Sequence, residues 1–283
     1  MQPALKIATF NAENFYMLLD RDYSTDELRA LPRDEYLAMN KSIFNPNKDL
    51  SKIEAIAATI LEGDFDFVGL CEVGGRETLA NFNRHFLGGA YECHLQEENS
   101  TRGIFVGALV RKGRFATVSA TNVSGSFSRN LLRLELASGG VTLRVFVVHL
   151  KSQYGQDRGI ERRMREVNQL CAMVDRRNCV VMGDFNGILV RGEHQFEFEP
   201  FLDLPFRDVL EAMDVPPASR FTHFHFGSRP SFNQLDYIFC SRDIAILDGG
   251  TVADLVPVNW EQRRRLPSDH IFLTATIRAF PER

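Results

Sequence analysis

Val180-Val181-Met182 runs into Gly183-Asp184-Phe185-Asn186, so an apolar stretch stops at a glycine and then sets a carboxylate and a carboxamide two positions apart. Side chains at i and i+2 of a strand share a face, which would let Asp184 and Asn186 project together from a strand end. An acid beside a neutral amide can take a proton from a water and hold that water against an electrophile. The same residues also suit a plain turn, because Gly-Asp and Asn-Gly are ordinary turn dipeptides. Taken alone, the step reads either way.

Other acids, amides and histidines fall in similar places. Asn11 and Glu13 follow the apolar run Ile7–Phe10, Glu72 follows Phe67–Leu70, and His149 closes Val145–Val148. Asp236 lies within Leu235–Phe239, and Asp269-His270 directly precedes Ile271. Each has a bland alternative: a solvated loop for Asn11 and Glu13, a helix-start acid for Glu72, a satisfied core histidine for His149, and unconnected surface groups for Asp236 and His270. Together they recur at strand ends, and ligands of sandwiched α/β folds gather beyond strand ends at one sheet edge. The chemistry such a set implies is metal-assisted phosphoester hydrolysis. Oxygen ligands without a cysteine cluster suit Mg²⁺ or Mn²⁺ better than zinc. Glu72 is the leading ligand candidate, since it follows the most apolar strand directly. An acid such as Asp236 beside His270 would fix the imidazole tautomer and stabilise its cation, which could then contact a phosphate.

The elements that must position these groups read as alternating strands and helices. Strands are expected at Leu5–Phe10, Asp64–Leu70, Ile104–Val110, Val141–Leu150, Cys179–Met182, Leu235–Cys240 and Ile271–Ile277. Ser51-Lys52-Ile53-Glu54 has the form of a capping box opening a helix with Ile53, Ile56, Ala57, Ile60 and Leu61 on one stripe. A second helix follows Gly75 with Leu79, Phe82 and Phe86 on one face, and a charged helix over Gly159–Arg176 turns Val167, Leu170 and Val174 inward. The polar stretch Tyr16–Asp49, helical around Thr25–Asn40 and broken at Pro32, reads as an insertion or lid. The expectation is one α/β domain over residues 1–283 with that insertion at about 16–50.

Composition narrows the class. The 283 residues allow a sizeable core, and 33 Lys+Arg against 37 Asp+Glu give a net charge of −4, so no basic footprint for nucleic acid shows at whole-chain level. The five cysteines are widely spaced and lack a C-x-x-C, so free buried thiols are expected. No apolar stretch reaches membrane-spanning length, and the N-terminus lacks the basic start of a signal peptide, so a cytoplasmic location is expected.

Six segments, in this order, carry a family resemblance: Thr9-Phe10-Asn11-Ala12-Glu13-Asn14, Leu70-Cys71-Glu72-Val73, Val148-His149-Leu150-Lys151-Ser152, Gly183-Asp184-Phe185-Asn186, Gln234-Leu235-Asp236-Tyr237-Ile238 and Ser268-Asp269-His270. They resemble the endonuclease/exonuclease/phosphatase superfamily, which includes pancreatic-type deoxyribonucleases, exonuclease III-like repair enzymes, neutral sphingomyelinases and inositol-polyphosphate 5-phosphatases. The resemblance implies a four-layer α/β sandwich with two central, mostly antiparallel sheets flanked by helices. It implies that Glu72 binds the divalent metal, helped by Asn11 and Glu13, with Asp269 near it. It further implies that Asp184 orients or deprotonates the attacking water, Asn186 holds water or phosphate, and Asp236 supports His270 on the phosphate. His149 would match a second phosphate-contacting histidine.

Arg102, Lys151 and the run Arg263-Arg264-Arg265 are candidates for phosphate contact, although a charge run also suits a solvated loop. Phe221-Thr222-His223-Phe224-His225-Phe226 alternates aromatic and polar residues; an edge strand with one half-buried face is the first reading, and a stacking and hydrogen-bonding surface beside the pocket the second. The leading expectation is a divalent-metal-dependent phosphodiester hydrolase acting on nucleic acid. The alternatives are a hydrolase of small phosphoesters or phospholipid headgroups, and a non-catalytic binding module on the same fold. Retention of Glu72, Asp184, Asn186 and His270 argues against the last.

Overall fold

The computed structural model describes residues 3–40, 45–123, 125–153, 157–227, 229–252 and 256–280. One sheet holds β1 (Leu5–Phe15), β2 (Phe67–Val73), β3 (Tyr91–Leu95), β4 (Phe105–Arg111), β13 (Ala245–Val252) and β14 (Phe272–Arg278), in the order β13-β14-β1-β2-β4-β3. The other holds β5 (Thr117–Val123), β6 (Leu131–Ser138), β7 (Val141–His149), β8 (Cys179–Asp184), β9 (Phe206–Asp208) and β12 (Asp236–Ser241), in the order β5-β6-β7-β8-β12-β9. A separate hairpin pairs β10 (His223–His225) with β11 (Ser231–Asn233). The helices are α1 (Thr25–Ala30), α2 (Arg33–Met39), α3 (Leu50–Gly63), α4 (Arg76–Phe86), α5 (Ile160–Met173), α6 (Glu199–Leu202), α7 (Val209–Ala212) and α8 (Trp260–Arg265).

Strand periodicity sorts the core into layers. Ile7, Phe67, Val145, Val147, Val180, Met182, Ile238 and Leu273 meet between the sheets. Their alternates on the first sheet, Ala8, Phe10, Val68 and Leu70, pack with Ile53, Ile60, Leu79 and Phe82 of α3 and α4. On the second sheet, Phe146, Val148, Val181, Tyr237 and Phe239 pack with Val167 and Leu170 of α5. This is the expected sandwich of two six-stranded sheets flanked by helices. Each fully buried Val, Ile, Leu or Phe contributes about 1.5–3 kcal/mol, so the pattern fixes register strongly.

Topology decides where the polar residues go. Each sheet is antiparallel except for one central parallel pair, β1–β2 in the first and β7–β8 in the second. Those four strands end at a common edge, and the antiparallel neighbours β12 and β14 begin there. Asn11, His149, Asp184 and Asp236 continue the inward-facing alternation of their strands, so they form the polar top of the inter-sheet core.

Some local expectations are corrected. Helix α3 starts at Leu50 with Asp49 at its N-cap, not at a Ser51 capping box, and Asp49 makes no side-chain cap because its carboxylate holds Arg33 at 2.6 Å. A capping box does occur at Ser24–Glu27, opening α1. Leu61 is 51% exposed rather than part of the buried stripe. Strands β3, β5, β6 and β13 went unread because their faces mix polar and apolar residues or carry Gly. The helices of the 16–50 segment bury Leu28 and Tyr36 in the outer core of the first sheet, and part of that segment, residues 41–44, lies outside the described residues. All five cysteines are free, and no described helix is long and apolar enough to cross a membrane.

Candidate active site

Asp184 is the hub. Its Oδ2 accepts from Asn11 Nδ2 at 2.9 Å and from Asn186 Nδ2 at 3.2 Å, and its Oδ1 accepts from the Asn186 amide at 2.8 Å. Asn186 Nδ2 also donates to Leu150 O at 3.0 Å, which ties the turn after β8 to the end of β7. Gly183 makes the approach possible. Its φ is +131°, and a Cβ there would sit 2.0 Å from Val148 O. A side chain would push β8 away from β7 and carry Asp184 with it.

Two histidines contact this hub, His149 from the end of β7 in the second sheet and His270 from the segment just before β14 of the first. His149 Nε2 lies 3.6 Å from Asp184 Oδ2 and 3.9 Å from Glu72 Oε1. Burial drives the His149 pKa well below its ordinary value, and the charges of Arg129, His270 and Arg102 push the same way, so the ring is neutral. His270 Nδ1 meets Asp236 Oδ2 at 2.6 Å, and its Nε2 lies 3.9 Å from Asp184 Oδ2. Burial alone would lower the His270 pKa, yet Asp236, Asp184 and Asp269 push it up to about 10. Burial holds the Asp184 carboxyl up at about 7 against the opposing pull of His270. At neutral pH the site therefore holds an imidazolium, a neutral imidazole and a carboxyl poised to exchange a proton.

The first sheet delivers its groups differently. Pairing of β1 with β2 shifts register between Asn11 and Phe15, and pairing of β2 with β4 shifts between Leu70 and Val73. Glu13, Asn14 and Glu72 have φ of 45°, 48° and 63°. By simple alternation Glu72 would follow Val68 and Leu70 towards the helices, but Val73 takes that place in the outer core. The bulge thus re-aims Glu72 at the inter-sheet edge. Glu72 Oε2 accepts from the Asn14 amide at 2.9 Å.

Glu13 and Asp269 do not meet Glu72; they share Arg263. Arg263 Nη2 donates to Glu13 Oε1 at 2.6 Å and lies 3.4 Å from Asp269 Oδ2. Burial raises the Asp269 carboxyl, but His270, Arg263 and His223 more than offset it and leave its pKa lowered. Arg263, the first residue of the basic run, is thus a buried partner of two acids rather than a loop cation. Arg102 donates to Asn14 Oδ1 at 3.2 Å, and the Lys151 amide donates to the buried Glu166 at 2.7 Å.

Three residues escaped the sequence reading. Arg129 is buried, its pKa lowered by burial and sustained by Glu72, Glu166 and Asp184, and its Nε has no hydrogen-bond partner among the described residues. Lys48, at the return of the 16–50 segment, donates to Pro267 O at 2.7 Å, one residue before Ser268-Asp269-His270. The His223 ring lies 4.7 Å from that of His270, tilted by 55°, and its Nε2 lies 3.8 Å from Asp269 Oδ2. Only the alternation Phe221–Phe226 hinted at His223.

Two groupings could hold a cation. Asp184, Asp236 and His270 offer ligand atoms within 4.8 Å of one another. There, however, the 2.6 Å contact joins His270 to Asp236 and takes up the facing atoms of both, which is the geometry of an acid–base pair. Glu72, with 14% of its side chain exposed, is the more open oxygen donor; Asn11 beside it is buried, and its Oδ1 accepts from the Glu13 amide at 3.0 Å.

One edge of the two-sheet sandwich thus gathers a buried carboxyl, an Asp–His pair and the amides of Asn11 and Asn186. The model of the Endonuclease/Exonuclease/phosphatase family matches residues 8–270, and the chain belongs to that family, whose members are hydrolases acting on phosphoester bonds. Among solved structures, D. rerio TDP2 complexed with single strand DNA product is similar at TM-score 0.65 and 17% identity, over 98% of this chain and 99% of that one. The mannosyl-6-phosphatase of Bacteroides thetaiotaomicron is similar at TM-score 0.60 and 15% identity, over 97% and 99%. An endonuclease/exonuclease/phosphatase from Beutenbergia cavernae is similar at TM-score 0.63 and 16% identity, over 99% and 72%. No curated protein matches the sequence. At these identities the structures share the fold.

Proposed function

We propose that the protein is a divalent-metal-dependent phosphoester hydrolase in which Asp184 activates the attacking water. The observation that carries this is Asp184 itself: a fully buried carboxyl at about 7, held by three N–H donors and within 3.9 Å of the His270 imidazolium. A base with a pKa near the working pH is the efficient one. Asn11 and Asn186 fix the carboxylate so that the water it deprotonates lies between them. Asp236 holds the His270 Nδ1 proton, which leaves Nε2–H to donate to a phosphate oxygen as charge builds there. Neutral His149 can offer a second hydrogen bond on the same side.

The donor set fits a hard divalent cation. Glu72 would hold it, with the Asn11 carbonyl alongside and Asp269 nearby through water, and Mg²⁺ or Mn²⁺ suits such oxygen ligands. When bound, such an ion would neutralise phosphate charge and the developing negative charge of the leaving oxygen. Glu13 supports the site indirectly in this reading, by holding Arg263 against Asp269. Arg102, Arg129 and Lys151 lie on the His149 side, where cations would favour an anionic substrate, whether a nucleic acid strand or a small phosphoester.

The test is hydrolysis of p-nitrophenyl phosphate, bis(p-nitrophenyl) phosphate, plasmid and single-stranded DNA in Mg²⁺, in Mn²⁺ and in EDTA. Metal-dependent release from at least one is expected. No metal-dependent release from any of them would overturn the reading.

A further inference from the structure

A cavity of about 510 Å³ opens beside the acid–base pair, with His270 and Asn186 at its inner end. Its outer wall is the hairpin of β10 and β11. In that hairpin His223 faces Asn233, Phe224 faces Phe232 and His225 faces Ser231. Alternation therefore gives the hairpin two unlike faces. His223, His225, Ser231 and Asn233 all line the cavity. The aromatic face turns the other way, where Phe221, Phe224, Phe226 and Phe232 lie ring against ring at 5.2–5.9 Å.

The opposite wall is also built of amides. Gln195 and Gln153 line it, and the one Arg or Lys among the described lining residues is Arg158. Arg158 is itself engaged, donating to Gln153 Oε1 at 2.6 Å. Gln153 in turn donates to Asn186 O at 3.2 Å, which fixes this wall to the turn that carries the catalytic amide. A site for single-stranded nucleic acid combines a cationic track with exposed aromatic faces for stacking. The described walls show neither, because Arg158 is their one Arg or Lys and the phenylalanines, Phe232 exposed among them, lie on the hairpin's other face. What they offer is a dense set of amide, hydroxyl and imidazole groups, each able to donate and accept. Such a lining matches a compact partner bearing several hydroxyls. A volume of about 300–1,000 Å³ is the range for a small-molecule site.

We propose that this cavity is the leaving-group site and that it takes a small, hydroxyl-rich phosphomonoester of the sugar- or polyol-phosphate class. The inference rests on the hydrolase reading above and names its substrate. In the reaction the oxygen of water bonds to phosphorus and the ester P–O bond breaks. Orthophosphate and the free polyol leave, the polyol oxygen gaining one proton and orthophosphate keeping the other. Asn233, His225 and His223 are the specificity-determining residues. They bind hydroxyls of the group that departs.

The experiment compares the metal-loaded protein on a hexose 6-phosphate, a hexitol phosphate, hexyl phosphate, p-nitrophenyl phosphate and a single-stranded oligonucleotide. A site built to hydrogen-bond hydroxyls rejects the analogue lacking them strongly, so kcat/KM for the hexose or hexitol ester should exceed that for hexyl phosphate by about 100-fold or more. Asn233→Ala and His225→Ala should each narrow that ratio by about ten-fold, the size of one or two lost hydrogen bonds, chiefly through KM. Because the ratio is internal to each variant, a partly folded preparation does not mimic the effect. Equal turnover of hexyl and polyol esters, or cleavage confined to the oligonucleotide, would overturn the inference and leave the hydrolase reading standing. Absence of metal-dependent turnover on all five esters would overturn both.

Discussion

The two sheets reach the site largely by opposite means; Asn11 of the first sheet is the exception, buried and in register like the second-sheet residues. In the second sheet, His149, Asp184 and Asp236 stay in register within their ladders, positive φ at this edge being confined to Gly183 and to Asn186 beyond the strand end: His149 pairs with Asp184 in the parallel ladder and Asp236 pairs with Asp184 in the antiparallel one. Their side chains are at most 4% exposed overall and sit directly on the apolar inter-sheet core. In the first sheet, Glu13, Asn14 and Glu72 break their strands, with positive φ at all three, and Glu13 and Glu72 keep 29% and 14% of their side chains exposed. Such backbone costs about 1–2 kcal/mol per residue for side chains that do not favour it. The difference teaches a division of labour. Regular, dry strand ends tune protons, because burial there holds Asp184 up and His149 down. Bulged, wetter strand ends would, in the proposed reading, present oxygen ligands to an ion that keeps part of its hydration.

The largest break in that comparison comes from the dry half. Asp184→Asn should lower kcat by about 10³–10⁴-fold, the share of a positioned general base, with little change in KM. Steady-state kinetics on any accepted ester measures this. The same substitution should raise the melting temperature at pH 8. The folded pKa of Asp184 lies above its unfolded value, so folding gains a proton preference that becomes a cost as pH rises from about 4 towards 7, and the amide removes that cost. His270→Ala should cost about 10²–10³-fold in kcat by removing one charged donor to the phosphate.

Substitution in the wet half should act through the ion. Glu72→Gln should weaken Mg²⁺ or Mn²⁺ by about 10–100-fold, read by calorimetry or by the metal dependence of rate, and excess metal should restore part of kcat. If instead Glu72→Gln abolished turnover at every metal concentration while Asp184→Asn shifted only metal affinity, the assigned roles would be reversed.

The smallest effect concerns stability. His270 has a folded pKa raised from its ordinary value to about 10, so its contribution is fully present below about 6.5 and fades as pH rises through 10. Thermal melts of the metal-free protein should therefore fall from pH 6.5 to pH 10, and His270→Gln should flatten that decline.

Legibility in the sequence followed the same divide. Asp184, His149 and Asp236 extend apolar alternations, so their strand-end positions could be read locally. Glu72 was found from its apolar lead-in, but the bulge that turns it inward depends on pairing with β4 and leaves no local mark. Glu13 and Asp269 carry acids of the right type, yet their shared partner Arg263 sits on α8, close to Asp269 in sequence but 250 residues from Glu13. His223 reaches His270 only through an isolated antiparallel bridge between them. Arg129 and Lys48 lie in stretches without strand or helix period, where no pattern announces a buried cation. The Ser51 capping box does not form because the helix already starts at Leu50, with Asp49, two residues before Ser51, at the N-cap and its carboxylate held by Arg33. The proposed leaving-group cavity is the least legible part, because the hairpin's two faces are assigned by strand pairing and not by composition.

The central claim is that Asp184 is the proton acceptor and His270 the cationic donor in one site. The direct measurement is kcat/KM against pH for the metal-loaded protein on its best ester, beside Asp184→Asn. The account predicts a rate that rises as pH passes about 7, holds, and falls towards about 10, with the lower limb absent from the residual activity of the variant. A wild-type profile that is flat from pH 5 to 9, or an Asp184→Asn variant that keeps the lower limb, would contradict it.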